Sequence, residues 1–331
     1  FSIDAIDVIQ HQWPPDYVNM YNQKGPEEFH RICQQYAKQN QNFQLRIVAQ
    51  KKIDTDRARI PVKDISASIE TPVIFLTYNR PGHTRRVLAA LKKHDRRNLY
   101  LFSDGPRNPS DAQAVEQTRE VLRSVDWCEP KLIFREKNLG CAQSVFSAVD
   151  RTLENHDRFI LLEDDCLPQE YFFDFIETCL DKYENNQTVF GACGYTVPVE
   201  ETILTKSPSD LYFLPRIGCW GWASWKNRWN QLETDLGRAY NKALEEGVDF
   251  DQCGNDIQLM LLSQLTGKLK DNWDLNWMLT VYLRRGLFIY PTRSHIVNIG
   301  MDGSGTHCGK TERYETTTAV VQPSNYPDQP V

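Results

Sequence analysis

The sequence lacks the features that mark membrane-spanning, zinc-binding or nucleic-acid-binding proteins. No apolar run approaches the roughly 18 residues that a membrane span needs. The nine cysteines include no Cys-x-x-Cys pair, so a zinc site is not predicted. A formal charge of -6 offers no basic excess to attract nucleic acid or an anionic membrane. Neither an internal repeat nor a secretory signal is visible.

What is present is typical of a globular enzyme or binding protein. The 331 residues, 40% hydrophobic and 25% charged, are enough for one large α/β domain. The odd number of cysteines, several inside predicted strands or helices, favours free buried thiols and a reducing, cytoplasmic compartment. A Golgi lumen stays open if an anchor precedes Phe1.

The pattern of the chain divides it into three regions. The start is polar and irregular apart from a predicted helix over 26–40, and the end is rich in Thr and Pro. Between them the hydrophobic pattern becomes regular. We therefore predict an N-terminal extension or arm over 1–70, a main domain over 71–310, with halves 71–195 and 196–310, and a tail over 311–331.

Four repeats of strand, loop and helix organise the first half of that domain. Such a period predicts a parallel, doubly wound α/β sheet with right-handed crossovers. The predicted strands lie at 72–78, 99–102, 131–134 and 159–162. The predicted helices lie at 84–93, at 110–125 with Ser110 as cap, at 141–154, and from Pro168 to about 183.

The fourth strand ends in three consecutive carboxylates, Glu163, Asp164 and Asp165. Ligands bind at the carboxyl ends of strands in such sheets, and adjacent acids repel one another. A divalent metal is the simplest cation to hold them. Strand alternation predicts Glu163 and Asp165 on one side and Asp164 on the other. A solvated acidic turn before a helix N-terminus is the alternative.

Three further strand-end loops carry polar residues at the same predicted edge. They contain Asn79 and Arg80, then Asp104, then Asn138 and Gly140. Together with the acids they describe one crevice with a cation, a metal and small residues, which is what a nucleotide diphosphate requires. Arg80 and the metal would neutralise phosphate, and Asp104 could accept a base N–H.

The second half is less regular, but it carries tryptophans and a glycine-rich loop. Trp220, Trp222, Trp225 and Trp229 suit either a sugar-stacking wall or a corner of the core. A helix is predicted to open near Asp274, and the loop 301–307 contains two glycines that give it backbone freedom.

Five of these motifs, in this order, resemble the GT-A glycosyltransferases. The closest likeness is to N-acetylglucosaminyltransferase I, the protein O-mannose β-1,2-N-acetylglucosaminyltransferases and bacterial relatives. The likeness spans about 71–308, and it implies that 71–195 is the nucleotide-sugar half (the nucleotide half) of the domain and 196–310 the acceptor half. The motifs are T-P-V-I-F-L-T-Y-N-R-P-G-H-T-R-R-V-L, F-S-D-G, F-I-L-L-E-D-D-C-L-P, W-D-L-N-W-M and S-H-I-V-N-I-G-M-D-G-S-G-T-H, and G-C-W-G-W-A-S-W fits as well.

That resemblance implies a metal-dependent, inverting transferase that moves a sugar, possibly GlcNAc, from a UDP-sugar to a glycan or other hydroxyl acceptor. Asp165 would bind Mn²⁺ or Mg²⁺, and Asp274 would be the catalytic base. Glu163 and Asp164 would contact ribose or sugar hydroxyls. Other implied nucleotide-sugar contacts are Thr77, Asn79, Arg80, Asp104, Asn138, Gly140, Trp222, Ser304 and His307, the last two in a loop that closes over the phosphates.

Two departures limit what the resemblance implies. The cysteines that pair in animal members are replaced by Tyr78 and Gly105, which favours a bacterial-type enzyme, and the family's W-D-D-W is one residue longer here. Asp274 could also be only a helix-start residue. The open alternatives are a sugar- or nucleotide-sugar-binding protein without activity and a sugar-phosphate nucleotidyltransferase. No nucleic-acid partner and no membrane span are expected.

Overall fold

The computed structural model describes residues 70–198, 209–250, 254, 256–305 and 310–328, together with the backbone of two short strands. The helix predicted over 26–40 lies outside these residues. The strands are β1 Ile3–Asp7, β2 Arg46–Ala49, β3 Val73–Thr77, β4 Leu99–Ser103, β5 Lys131–Phe134, β6 Arg158–Glu163, β7 Cys166–Pro168, β8 Val189–Cys193, β9 Leu211–Leu214, β10 Trp222–Trp225, β11 Leu287–Pro291 and β12 Ile296–Asn298. The α-helices are α1 Pro81–Lys93, α2 Ala112–Arg123, α3 Gly140–Leu153, α4 Phe172–Tyr183, α5 Lys226–Trp229, α6 Leu236–Glu245, α7 Ile257–Leu265 and α8 Asp274–Leu283.

An eight-stranded, mostly parallel sheet forms the centre of the described domain, in the order β5-β4-β3-β6-β10-β8-β11-β9. The first four strands in that order are mutually parallel. Strand β10 lies antiparallel between β6 and β8, while β11 is parallel to β8 and β9 is antiparallel to β11. The predicted α/β class with a largely parallel sheet is confirmed.

Helices cover both faces of this sheet because successive side chains of each strand point to opposite faces. Val73 and Phe75 belong to the core cluster that also contains the buried faces of α1, α2 and α4. Ile74 belongs to the second cluster, with side chains of α3 and α8. A third, smaller cluster joins α6, α7 and α8. The doubly wound arrangement follows directly from these two faces.

The parallel strands place their carboxyl ends at one edge of the sheet. Thr77 pairs with Ser103, and Ser103 pairs with Phe134 on the other side of β4. Leu76 pairs with Glu163, so the acidic end of β6 lies beside the end of β3. The four strand-end loops identified in the sequence therefore meet, as the topology of a parallel sheet requires.

Three helix starts differ from the sequence prediction by two residues or more, and the first helix begins at Pro81 rather than at residue 84. The fourth helix begins at Phe172 rather than Pro168, because 166–168 form β7 and pair antiparallel with β12. The second begins at Ala112 without a side-chain cap, and Asn108 caps the preceding 3₁₀ turn by accepting a hydrogen bond from the Ser110 N–H. The pairing of β7 with β12 brings the segment around Ile299 next to the acidic turn.

The C-terminal segment packs along the body of the domain rather than extending from it as a loose tail. The Asp210 carboxylate accepts hydrogen bonds from the backbone N–H groups of Ser324 and Asn325, each at 2.8 Å. The Tyr183 hydroxyl donates to the carbonyl of Pro327. Within the described ranges, no helix is both long and apolar enough to cross a membrane. The six described cysteines are all free thiols.

Candidate active site

The acidic turn at the end of β6 departs from strand geometry after Glu163. Asp164 and Asp165 form a turn between β6 and β7, so the strand alternation expected over all three acids does not apply to them. Instead of pointing to opposite sides, both aspartates contact the same nitrogen of Arg80. This corrects the predicted division of the three carboxylates between two faces.

Arg80, at the start of α1, is the side-chain cation that holds the two aspartates. Its Nη2 lies 3.0 Å from Asp165 Oδ2 and also donates to Asp164 Oδ1. Asp164 is buried, with 3% of its surface exposed. One position therefore remains open on each side of the pair: Nη1 of Arg80 and Oδ2 of Asp164 are buried and have no hydrogen-bond partner.

The site carries more negative charge than Arg80 neutralises. Burial raises the pKa of Glu163 to about 8, helped by the charges of Asp165 and Asp164. Burial also raises the pKa of Asp164 to about 6, against the opposing attraction of Arg80. Burial by itself lowers the pKa of Arg80, but the two aspartates outweigh it and raise that pKa. Perturbed pKa values of this kind concentrate at functional sites.

A loop after β12 closes against this cluster. The Ile299 N–H donates to the Asp165 carbonyl at 2.8 Å. Gly300 follows, and a Cβ at that position would lie 2.5 Å from Asp165 Oδ2 and 2.9 Å from Arg80 Nη1. His83 contacts the same loop, with Nε2 at 3.0 Å from the Ile299 carbonyl and 3.3 Å from Asp302 Oδ2. Only glycine fits at position 300.

Asp274 is the first residue of α8, and its Oδ1 is buried without a hydrogen-bond partner. Burial raises the pKa of this carboxyl, and the positive charge of Arg216 opposes that rise. Arg216 is itself held by Asp256 through two contacts of 2.8 Å. The charge of Asp274 also raises the pKa of Glu163, so the two carboxyls lie within electrostatic reach of each other. A buried carboxylate with an open oxygen is suited to proton transfer.

The nucleotide-half candidates are held mainly by backbone contacts. Asp104 is buried, and its carboxylate accepts hydrogen bonds from the N–H groups of Leu139, at 3.1 and 3.0 Å, and Gly105, at 3.0 Å. Asn138 donates to the Gly105 carbonyl at 2.9 Å, and its Oδ1 accepts from the Gly140 N–H at 3.1 Å. The loops after β4 and β5 are thereby joined.

Thr77 and Asn79 occupy the end of β3 and the turn that follows it. The Thr77 hydroxyl is buried and donates to the Phe102 carbonyl at 2.8 Å. Asn79 is half-buried and stands directly before Arg80. Both residues therefore lie at the predicted edge, with Thr77 already engaged in joining β3 to β4.

Of the two interpretations of the tryptophan segment, the structure supports a corner of the core. Trp222 is 0% exposed and stacks on Trp273 with ring centroids 5.2 Å apart, while Trp225 and Trp229 are each 2% exposed. Trp222 has no free face for a sugar, which corrects its assignment as a sugar-contacting residue. Trp220 is only partly buried.

The glycine-rich loop is described only up to residue 305. Ser304 is exposed, and both its N–H and its hydroxyl donate to Asp302 Oδ1. His307 lies outside the described residues.

The donor set fits one hard divalent cation that is completed by a ligand's own oxygens. In the described ranges no group of three or more His, Cys, Asp or Glu side chains is arranged to hold a metal alone. However, Asp165 Oδ1 contacts only the Cys166 thiol, at 3.5 Å, and Asp164 Oδ2 has no partner. Mn²⁺ or Mg²⁺ is commonly held by one or two carboxylates plus phosphate oxygens. The surplus negative charge favours the same cation.

Three residues of the site were missed at the level of sequence: His83, Asp271 and Gly300. His83 falls inside the motif that contains Arg80, and Gly300 lies in the phosphate-loop motif, so the resemblance could have indicated both. Asp271 lies in no motif. Its carboxylate caps α3, which lies 130 residues earlier in the sequence, and no local sequence pattern predicts this contact.

Comparisons with solved structures include distant likenesses. No protein-family model and no curated protein sequence matches the chain. An active-site mutant of LgtC is similar at 9% identity and a TM-score of 0.30, covering 59% of this chain and 70% of its own. A mannosyltransferase from Pyrobaculum calidifontis, PcManGT, in complex with GDP-Man and Mn²⁺, is similar at 14% identity and a TM-score of 0.35, covering 64% and 69%. Similarity this low carries no argument about the activity of the present chain.

Proposed function

We propose that this protein is a metal-dependent, inverting glycosyltransferase that moves a sugar, possibly GlcNAc, from a UDP-sugar to a hydroxyl of a glycan or other acceptor. The observation that carries the proposal is that the structure holds carboxylates in two different settings, one bound to a cation and one with a buried oxygen that has no partner. The acids at the end of β6 surround Arg80, and Asp274, from a helix outside that turn, keeps a buried oxygen open.

In this proposal the acidic turn and Arg80 serve the donor. Asp165 holds Mn²⁺ or Mg²⁺, and the cation, when bound, supplies charge stabilisation at the leaving diphosphate. The open Nη1 of Arg80 donates to a phosphate oxygen. Glu163 and Asp164 contact ribose or sugar hydroxyls. The remaining donor contacts are Asp104 at the uracil, Thr77, Asn79, Asn138 and Gly140 along the nucleotide, and Ser304 and His307 over the phosphates.

Asp274 acts on the acceptor. Inversion requires a base on the face of the sugar opposite the diphosphate, so this base has to come from outside the E-D-D turn. The Asp274 carboxylate takes the proton of the acceptor hydroxyl as that oxygen attacks the anomeric carbon. Burial raises the pKa of this carboxyl, which increases its basicity, and the charge of Arg216 opposes that rise.

The test combines a nucleotide-sugar screen with one variant. Asp274→Asn should fold normally and bind the UDP-sugar nearly as well as the wild type. Its kcat should fall on the order of a hundred to ten-thousandfold, which is the typical worth of general-base catalysis. Asp126→Asn, at an exposed surface ion pair, serves as the matched control and should keep full activity. NMR of the wild-type product should show the anomeric configuration opposite to that of the donor.

The alternatives give different results in the same assays. Near-normal turnover in Asp274→Asn, or a product with retained configuration, would contradict the base assignment. Binding of a UDP-sugar without transfer or hydrolysis would indicate a binding protein. Pyrophosphate release from UTP and a sugar phosphate would indicate a nucleotidyltransferase.

A further inference from the structure

The segment that precedes α8 is tied to the nucleotide half by the side chain of Asp271. Oδ1 of Asp271 accepts a hydrogen bond from the Ala142 N–H at 2.8 Å, and Oδ2 accepts one from the Cys141 N–H. Both N–H groups belong to the first turn of α3, where a helix has no internal acceptors for them. The carboxylate thus caps a helix that lies 130 residues away in the chain.

The contact is close enough to constrain both partners. Asp271 has a φ of 65° and Gly140 a φ of 78°, so both lie in the left-handed region. A Cβ at Gly140 would stand 2.4 Å from Asp271 Oδ2, which leaves no room for any other residue there. A non-glycine residue in this conformation is strained, and it persists where surrounding contacts hold it there. Here the demand comes from the two charge-assisted hydrogen bonds.

A second carboxylate, from the nucleotide half, binds the residue directly before that turn of α3. Asp104, from the loop after β4, accepts the hydrogen bond of the Leu139 N–H directly before that turn. The start of α3 is therefore held by one acid from each half of the domain.

Between Asp271 and Asp274 the chain has little freedom. The Asn272 carbonyl accepts a hydrogen bond from Gln264 at 3.0 Å, and Trp273 stacks on the buried ring of Trp222. Asp274 then begins α8. Asp271 is thus the first of three successive anchors that precede Asp274.

We propose that Asp271 is a positioning residue that sets where the Asp274 carboxylate stands relative to the donor site. This inference rests on the proposed function, in which Asp274 is the base. Transfer of a proton from the attacking hydroxyl to a base depends on alignment, and a misplacement of about 1 Å can cost roughly a hundredfold in rate. Asp271 itself need touch neither the donor nor the acceptor.

The test is a pair of substitutions with matched controls. Asp271→Gly removes the carboxylate but tolerates the positive φ. It should lower kcat about 10- to 100-fold, while the Kd for UDP with Mn²⁺ changes less than about threefold. Asp235→Gly removes a comparable cap, the 2.9 Å contact with the Arg238 N–H at the start of α6, and should leave kcat unchanged.

A second pair approaches the same contact from the helix. Gly140→Ala places a Cβ against Asp271 and should reproduce the loss of kcat. Gly267→Ala introduces the same backbone strain, at a φ of 73°, but into open space, and should only reduce stability. Equal kcat losses in Gly140→Ala and Gly267→Ala would overturn the proposal, because strain alone would then explain them.

Hydrogen exchange gives a readout that does not depend on activity. In Asp271→Gly the amides of residues 141, 142 and 272–276 should exchange faster than in the wild type, while those of α6 should not change. Unchanged exchange at these amides would refute the positioning role of Asp271, whatever the enzyme assay shows. If exchange accelerates but Asp274→Asn turns over normally, Asp271 does hold this segment and the assignment of Asp274 as the base fails. Failure of the positioning role and failure of the proposed function therefore give different results.

Discussion

Replacing Arg80 by methionine tests whether its guanidinium is the counter-charge of the acidic turn. Met keeps an unbranched apolar stem but removes the positive charge and all the N–H donors of the guanidinium. The side chains of Arg80, Asp164 and Asp165 are 16%, 5% and 18% exposed, so the pair is buried rather than a surface ion pair. Leaving a buried charge without its partner typically costs about 3–5 kcal/mol. At roughly 2 °C per kcal/mol for a domain of this size, the Tm should fall by about 6–10 °C.

The loss should depend on pH in a defined direction. In the wild type the pKa of Asp164 is about 6, already raised by burial and lowered by Arg80. Without Arg80 that pKa rises further, so the folded variant binds more protons than the folded wild type above pH 6. Stability of the variant then decreases relative to the wild type as pH increases through this window. The difference in Tm should be small at pH 5 and large at pH 8.

Thermal unfolding at the two pH values, with and without Mn²⁺, measures this. Arg123→Met is the matched control, because Arg123 pairs with Glu116 across an exposed contact in which the side chains are 48% and 50% exposed. Such pairs contribute about 0–1 kcal/mol. Mn²⁺ should restore part of the stability lost in Arg80→Met at pH 8. The reasoning fails if Arg80→Met loses no more than Arg123→Met, or loses equally at pH 5 and pH 8.

Two further predictions concern the neighbouring acids. Asp165→Ala should abolish the Mn²⁺-dependent part of UDP binding in calorimetry, and unchanged binding with Mn²⁺ would remove the metal assignment. Glu163→Gln should flatten the pH dependence of the Tm. The pKa of Glu163 rises from 4.5 to about 8 on folding, so its contribution to stability is complete below pH 4.5 and is lost as pH rises through about 8. A wild-type Tm that falls no more than that of the variant between pH 5 and pH 8.5 would count against this.

The strand ends of the nucleotide half were predictable because their signal is local. A short apolar run followed by polar residues marks a buried strand and its carboxyl end, as at Phe102 to Asp104 and Leu162 to Asp165. Parallel pairing then brings these ends together without any further information. Asp274 could be proposed from the resemblance of W-D-L-N-W-M to the family motif, because its place at the start of a predicted helix equally fits a purely structural residue.

The partners of these side chains were not predictable in the same way. The sequence indicates that three adjacent acids need a cation, but it does not say that Arg80, 84 residues earlier, already contacts two of them. The cap of α3 by Asp271 and the burial of Trp222 also depend on contacts between distant segments. Amino-acid type alone could not decide whether those tryptophans face a ligand or the core.

The placement of β10 has a consequence for how the chain folds while it is being synthesised. This strand lies between β6 and β8 but comes from residues 222–225, after both of them in the chain. Domains generally form from the N-terminus as the chain leaves the ribosome. The edge of β6 at Phe159 to Leu161, which pairs with β10, therefore has to wait for about sixty further residues to emerge. A chain halted after residue 195 exposes that apolar edge without a partner strand. The nucleotide half therefore cannot complete its part of the sheet before β10 has been synthesised.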